Sequence, residues 1–563
     1  MQFIVKTVLG LSIAIFPLIS RSQSTYLPQS NKHQPFLDRL EIMLQRNLEL
    51  NVETAKSLNR RTAVKASEYA DSLGKAGALQ LSKVDQYNLR SVLMNNSEWV
   101  QGDKSGFESR KSLWNTFYKT KANLFEVDEK DFYLAVNPVF QGQLSEETDY
   151  NGKRQFLNTK GVTFRGLIAN RLGFSAYLVD NQERGPLFMQ ERIAQYNAVP
   201  GVGFYKRFQE TGVDYFDARG SINFSAVKNY LDFQFGYDKM FVGNGYRSLF
   251  LSDFGNSYLF LKISTRIWKF NYTNVWMELT PQTIRINQGN KLLDKKYAAI
   301  RHLSLQATQW LNVGLFEAVT FGRKNHFDFT YLNPVIFLRV SEQQNGSADN
   351  AIVGFDFKAN VAKKLQFYGQ VMIDEFVQKE LRAGNGWWGN KFGLQLGGKY
   401  INAFKINNLD LQGEVNLVRP FSYSHYDSVA NYTHYNQPMA HPLGANFVEA
   451  IGIVRYQPIP KLTTSARLIL WKQGVDTANS NVGSDIFKMY TTRSSDYGYK
   501  LPAGPRATGV NAQLLVSYEL KENLFVDGSV LVRRLSSDVI TERNSSYFTL
   551  GLRLNMNRRE YDY

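Results

Sequence analysis

Cysteine is absent from all 563 residues, and histidine occurs only six times. The first absence removes disulfide frameworks, thiolate metal sites and cysteine nucleophiles together, so an exported chain of this kind needs another source of rigidity. No apolar run of spanning length follows the N-terminal stretch, which excludes a helical membrane protein. The GxSxG and HExxH signatures are both missing. Asp374 and Glu375 are adjacent in VMIDEFVQ and would point to opposite faces of a strand, so they form no direct carboxylate dyad. The chain reads as non-enzymatic, with no catalytic residue and no cofactor.

What the sequence does have begins with Lys6, the apolar run TVLGLSIAIFPLIS and the small residues Ser20 and Ser22. That order reads as a secretory signal peptide over residues 1–22, with the mature chain starting at Gln23. The formal charge is +16. Acidic glycans and lipid phosphates, including those of lipopolysaccharide, are the partners this favours, and export argues against nucleic acid. Aromatic residues make up 14%, with 31 tyrosines and 39 phenylalanines, as expected of a barrel with an aromatic girdle at each membrane interface.

Along the chain the hydrophobic period changes once. In PFLDRLEIMLQRNLEL, residues Phe36, Leu40, Met43, Leu44 and Leu48 recur at helical spacing. Good helix formers continue from Glu53, and KVDQYNLRSVLM, from Lys83, is a third candidate. These place a helical segment on the periplasmic side over residues 23–125, as a packing platform or plug. Beyond Asp131 the period is two. Leu231, Phe233, Phe235 and Tyr237 alternate with polar residues and Gly236, and Leu409, Leu411, Val415 and Leu417 alternate with Asp410, Gln412, Glu414 and Asn416. One face is apolar while the other suits a wet lumen. Tight turns such as FKANVAKKLQF alternate with long irregular stretches from Arg419 and Val475, as a membrane barrel requires. Residues 126–563 therefore read as an all-β, antiparallel transmembrane β-barrel of roughly 16–18 strands with long extracellular loops, set as a monomer in the outer membrane. SSYFTLGLRLNMNRREYDY contains a closing strand of the kind read by barrel assembly machinery, although residues Asn557 to Tyr563 follow its last apolar position.

Several motifs invite a site. GNGYRSLFLSDFGNS feeds no helix, so it is not a phosphate loop; its glycines read as strand-end architecture with Arg247 as the one plausible ligand group. His425, His434 and His441 share one loop, but their spacing matches no metal-ligand pattern, and no metal is expected. GNGWWGNKF and the loop from Arg419 to Phe447 mix aromatics with bases, which suits stacking on sugar rings and pairing with their carboxylates. Trp387 and Trp388 also suit an interfacial girdle.

FVGNGYRSLFLSDFGNSYLFLKI and NYTHYNQPMAHPLGANFVEA resemble segments of the Wzi-like capsule assembly family. They are similar also to the gliding-motility-associated outer-membrane proteins of the RemB kind. The resemblance implies an outer-membrane barrel that holds or organises surface polysaccharide without chemistry. It carries over Tyr246, Arg247, Ser248, Ser252, Tyr432, His434, His441 and Gly444. Joined to Arg419 and Tyr435 from the loop reading, the expected polysaccharide contacts are Tyr246, Arg247, Arg419, Tyr432, His434, Tyr435 and His441, with an acidic surface polysaccharide as the ligand. A motility or secretion accessory, or a small-solute channel, are the alternatives.

Overall fold

The computed structural model describes residues 24–54, 57–110, 112–114, 116–148, 150–227, 230–283 and 292–563. The expected signal peptide lies outside the described residues. Eighteen strands close into one antiparallel barrel. They are β1 (Phe132–Glu147), β2 (Gln155–Ile168), β3 (Leu172–Arg184), β4 (Gly212–Val227), β5 (Leu231–Asp238), β6 (Tyr258–Ile267), β7 (Phe270–Leu279), β8 (Lys296–Gln306) and β9 (Leu311–Phe321). The second half comprises β10 (Asn350–Val361), β11 (Leu365–Glu375), β12 (Lys391–Tyr400), β13 (Leu409–Val418), β14 (Phe447–Ile459), β15 (Leu462–Gly474), β16 (Arg506–Lys521), β17 (Leu524–Ser537) and β18 (Arg543–Leu554). Each pairs with its neighbours in chain order, and β18 pairs with β1 from Tyr547 opposite Glu147 to Leu554 opposite Phe140. Closure leaves no free edge.

The alternation read from the sequence is the wall's inside and outside. Along β18, Phe548, Leu550 and Leu552 are exposed while Tyr547, Thr549 and Arg553 are buried. At the seam Leu550 sits directly opposite Leu144, and both face outward. This apolar outer band marks a barrel built for lipid, and the chain is an integral outer-membrane barrel. Turns at one end are short, as at residues 169–171, 362–364 and 522–523, whereas residues 185–211, 322–349, 419–446 and 475–505 make long connections at the other.

The helical expectation holds with adjusted boundaries. Helices α1 (Gln34–Leu44), α2 (Leu48–Asn51), α3 (Arg60–Lys75) and α4 (Lys83–Met94) precede the barrel. Pro35 stands in the first turn of α1, where its missing N–H costs nothing. The Asn59 side chain caps α3, which is why that helix starts later than its composition suggests, and Ser82 and Asp85 form a capping box on α4. Their apolar faces pack together through Leu40, Met43, Ala66, Leu89 and Val92. Their polar faces fill the short-turn mouth of the barrel. Lys358 meets Glu41 at 2.7 Å, Lys399 meets Asp38 at 2.7 Å, and Arg39 pairs with both Asp85 and Asp410.

The lumen is not uniformly wet, as the alternation alone suggested. Residues 239–257 fold inward from the long-loop end, and Leu249, Phe250 and Leu251 join Tyr258, Met277, Ile300, Phe316 and Met372 in a buried apolar core. Phe250 stacks on Phe316 at 4.4 Å between centroids. At the lower tip of this segment the Gly243 N–H donates to Thr54 of the helical plug at 2.8 Å. The segment after β18 also turns inward: Tyr561 donates to Glu183 at 2.6 Å, and Arg533 donates to the Tyr563 carbonyl at 2.7 Å. Loops, helices and this segment together plug the barrel from both ends.

If Leu550 faces lipid, Leu550→Arg should lower the unfolding free energy in lipid vesicles by about 2–4 kcal/mol, the cost of an arginine at the lipid face. Thr549→Ala, which removes only an internal hydrogen bond to Ser529 at 2.7 Å, should cost about 1 kcal/mol. Urea unfolding of the two variants measures the difference.

Candidate functional site

The glycine-bearing break after β5 is built for close approach. Glu414, pointing inward from β13, accepts from the backbone N–H of Tyr246 at 2.6 Å and of Arg247 at 3.0 Å. A Cβ at Gly245 would lie 2.5 Å from the same carboxylate, so only glycine lets the chain reach the wall. Arg247 is 7% exposed; its guanidinium pairs with Asp562 at 2.9 Å and lies 3.7 Å from Glu449. Tyr246 donates to Asp562, and Arg467 donates to Tyr246. Burial alone would push the Asp562 carboxyl up, but Arg247 and Arg467 hold it down to about 2.

The loop from Arg419 to Phe447 also goes inward. His441 is fully buried; its Nδ1 accepts from the Leu443 N–H at 3.2 Å, so Nε2 carries the proton and donates to Glu449 at 2.7 Å. Glu449 thus receives His441 from one motif-bearing segment and faces Arg247 from the other. His434 links three connections: Nδ1 accepts from Thr280 at 3.0 Å and Nε2–H donates to Ser257 at 3.0 Å. Burial lowers its pKa to about 4, so it is neutral at neutral pH. Tyr432 stacks on Tyr423 at 5.8 Å within the lumenal core, and the Tyr435 N–H donates to Thr280 at 3.0 Å. Arg419 spans two loops through the carbonyls of Asn390 and Trp387, at 2.9 and 3.1 Å. All seven expected contact residues are therefore engaged within the protein, six of them in the lumen. His425, His434 and His441 bind separate partners.

Between the long connections opens a cleft of about 730 Å³. Helix α5 (Leu187–Tyr196), in the connection from β3 to β4, forms one side. Its buried face, Met189 and Ile193, packs with Tyr561 and Tyr563, while Phe188, Arg192 and Tyr196 line the cleft at a spacing of four. Trp471 of β15 and Arg533 of β17 complete it. Trp471 lies flat over Gly509, its partner on β16, where a Cβ would come within 2.1 Å of the indole. Among the described residues the buried Trp471 Nε1–H and Tyr563 hydroxyl have no hydrogen-bond partner. Arg533 sits 4.0 Å over the Phe188 ring, and Arg192 lies 5.2 Å from the Tyr196 centroid. Among the described residues neither arginine has an aspartate or glutamate carboxylate within 4 Å; Arg533 donates to the Tyr563 carbonyl at 2.7 Å and Arg192 to the Pro442 carbonyl at 3.1 Å. The acids of the cleft are otherwise occupied: Glu191 pairs with Arg543, Asp476 with Lys488, Glu147 accepts from the Leu187 N–H, Asp485 from the Phe487 N–H and Glu542 from the Ser536 hydroxyl. The sequence reading missed this constellation, although the four-residue spacing of Phe188, Arg192 and Tyr196 is visible there.

A second, lumenal cavity of about 470 Å³ lies between the helical plug and the inward segments, lined by Arg60, Lys239, Lys262, Arg558 and Arg559 among others.

No family model matches the sequence, and no curated protein matches it. Among solved structures the fold is similar to that of Wzi of Escherichia coli, described as an outer membrane protein involved in group 1 capsule assembly and a carbohydrate-binding β-barrel. Identity is 14%, the match covers 95% of this chain and 100% of Wzi, and the TM-score is 0.57. OprD of Pseudomonas aeruginosa shares 12% identity over 75% of this chain and 94% of its own, with a TM-score of 0.41. OccK8 of the same organism shares 8% over 74% and 97%, at 0.42. At these identities the likeness to Wzi is one of fold.

The His434 bridge has a defined pH dependence. The unfolded imidazole takes a proton near 6.5 and the folded one only near 4, so stability from the bridge is full above pH 6.5 and lost as pH falls toward 4. Hydrogen exchange at Thr280, corrected for intrinsic rates, should show protection falling across that window in the native chain. In His434→Gln the step should vanish.

Proposed function

We propose that this chain is a non-enzymatic outer-membrane barrel that holds surface polysaccharide in the cleft at its long-loop end. The observation that carries the reading is the pair Arg192 and Arg533, which among the described residues have no aspartate or glutamate partner and stand beside Trp471, Phe188 and Tyr196. Pyranose rings stack on aromatic faces, and an arginine fork matches a uronate carboxylate through charge-assisted hydrogen bonds. This makes an acidic polysaccharide the fitting ligand. The fold it shares with Wzi, described as carbohydrate-binding, supports the same reading.

In this reading Tyr246, Arg247, Arg419, Tyr432, His434, Tyr435 and His441 serve binding by fixing the loops, since their polar groups already meet protein partners or a packed core. The short-turn end, with α1 to α4, faces the periplasm, and the long connections face outward. A filled lumen favours retention at the surface over passage of a solute.

Protein refolded in detergent should bind uronate-containing oligosaccharides on a glycan array and ignore neutral ones. Arg192→Ala combined with Arg533→Ala should weaken binding at least tenfold, about 1.4 kcal/mol or more. Arg419→Ala, which loosens the connection of Trp387 and Asn390 away from the cleft lining, should weaken binding far less. Binding to neutral and acidic glycans alike would remove the arginine assignment, and binding to neither would remove the function.

A further inference from the structure

Most of the barrel's outer face is a plain apolar band, but the sector of β7 to β9 is different. Inward positions there are identified by the lumenal core, which includes Met277, Ile300 and Phe316. Alternation then turns Tyr272, Trp276, Arg301 and Glu317 outward, where lipid would be expected. A charged side chain on that face is costly. Yet Arg301 is only 4% exposed and Trp276 only 7%.

The connection after β9, residues 322–349, covers them. It folds down the outside of the wall rather than across the mouth. The Arg301 guanidinium donates to the carbonyls of Asn333 and Ile336. The Tyr272 hydroxyl donates to the Pro334 carbonyl at 2.7 Å, and the Trp276 indole N–H to the Tyr331 carbonyl at 2.9 Å. In return the Leu338 N–H donates to Glu317 at 3.1 Å. Trp276, Ala299, Val319, Phe321, Tyr331 and Leu338 make a small core between wall and connection. Tyr272 lies near the short-turn end of β7 and Arg301 in the middle of β8, so the covering segment descends well below the long-loop rim.

The other face of the segment is largely apolar and uncovered: Phe329 is 78% exposed, Val335 84% and Phe337 63%, with Ile336 and Val340 about half exposed, and the one exposed charge, Arg339 at its far end, is paired with Glu342 at 2.6 Å. Irregular backbone tolerates hydrocarbon only if its polar groups are satisfied from within. Here four carbonyls take donors from the wall, the Val335 N–H meets the Asn333 side chain at 3.0 Å, and Pro334 has no N–H to satisfy. The patch also adjoins the outward, exposed Leu315 of β9 and Phe355 of β10.

From this geometry we infer that residues 329–340 form a flap embedded in the bilayer, latched by Arg301, whose outward side chains contact lipid acyl chains on the long-loop side. Arg301 and Glu317 then serve as internal partners for the flap rather than as lipid-facing charges.

The chain's lack of cysteine allows a clean test. Val335→Cys and Phe337→Cys, spin-labelled in the full chain and reconstituted in phosphatidylcholine vesicles, should be accessible to oxygen and shielded from a water-soluble nickel complex, like Leu315→Cys. A label at Tyr497→Cys, on an exposed connection, supplies the aqueous reference. Nickel accessibility matching that reference would overturn the proposal, and shielding from both reagents would replace lipid with a protein contact, a second copy included. Arg301→Met should raise nickel accessibility at Phe337→Cys several-fold while the barrel keeps its heat-modifiable migration on gels. Unchanged accessibility would overturn the latch. Should Arg301→Met fail to fold, Tyr272→Phe, which removes one hydroxyl, should produce a smaller shift of the same sign, and no shift would overturn the wall contact.

Discussion

A closed sheet filled by its own inward segments shuts many inward-pointing polar side chains away from bulk water, and each of these must find a partner or carry a desolvation cost. That constraint organises the molecule. Glu414, Glu449 and Glu183 are wall carboxylates, each almost wholly buried or held in a dense hydrogen-bond network, and each is satisfied by a segment that enters the lumen. Glu414 takes two backbone N–H groups of the segment after β5. Glu449 takes His441, and Glu183 takes Tyr561. The inward segments are accordingly part of the barrel's interior, with apolar packing between Phe250, Phe316 and their neighbours supplying cohesion.

The same constraint acts outside the wall with the sign reversed. Lipid offers no hydrogen bonds, so Arg301 and Glu317 could not persist on an uncovered outer face. Covering them requires a connection whose backbone bonds inward and whose side chains face out, which is the inverse of the lumenal segments. One alternating wall thus dictates two kinds of loop, according to which of its faces carries the charge.

The strand period, the helical segment and the barrel class were all legible in the sequence, because each rests on residues close together in the chain. KVDQYNLRSVLM matches α4 to the residue, for its capping Ser82 and Asp85 are local. The direction in which a loop folds is not local information. The loop after β13 is rich in tyrosine, histidine and asparagine, a composition that suits an exposed surface, yet His434 is satisfied by Thr280 and Ser257, and Arg247 by Asp562. No window of sequence contains both members of such pairs. The cleft was hidden for a related reason: Phe188, Arg192 and Tyr196 share one helical face, but Trp471 and Arg533 come from strands hundreds of residues later. Arg301 and Glu317 did leave a local mark, as charges at apolar positions of strands with period two.

A filled lumen also changes what binding at the mouth can do. Among the described residues α1 to α4 occupy one end and three inward segments meet at Glu414, Glu449 and Asp562, tied by buried ion pairs. Breaking such a pair leaves an uncompensated charge, which is far more costly than releasing a surface contact. In the proposed reading, retention at the surface rests on the same buried network that fixes the loops. A ligand seated there, beside Arg192 and Arg533, would meet Tyr563, which is backed by Tyr561, Met189 and Ile193; hydrogen bonds to Glu183 and Arg533 hold the two tyrosines. Such packed support would lose little conformational entropy on docking, so the rigidity required by the plugged wall is also what the proposed sugar site would need to hold its ligand.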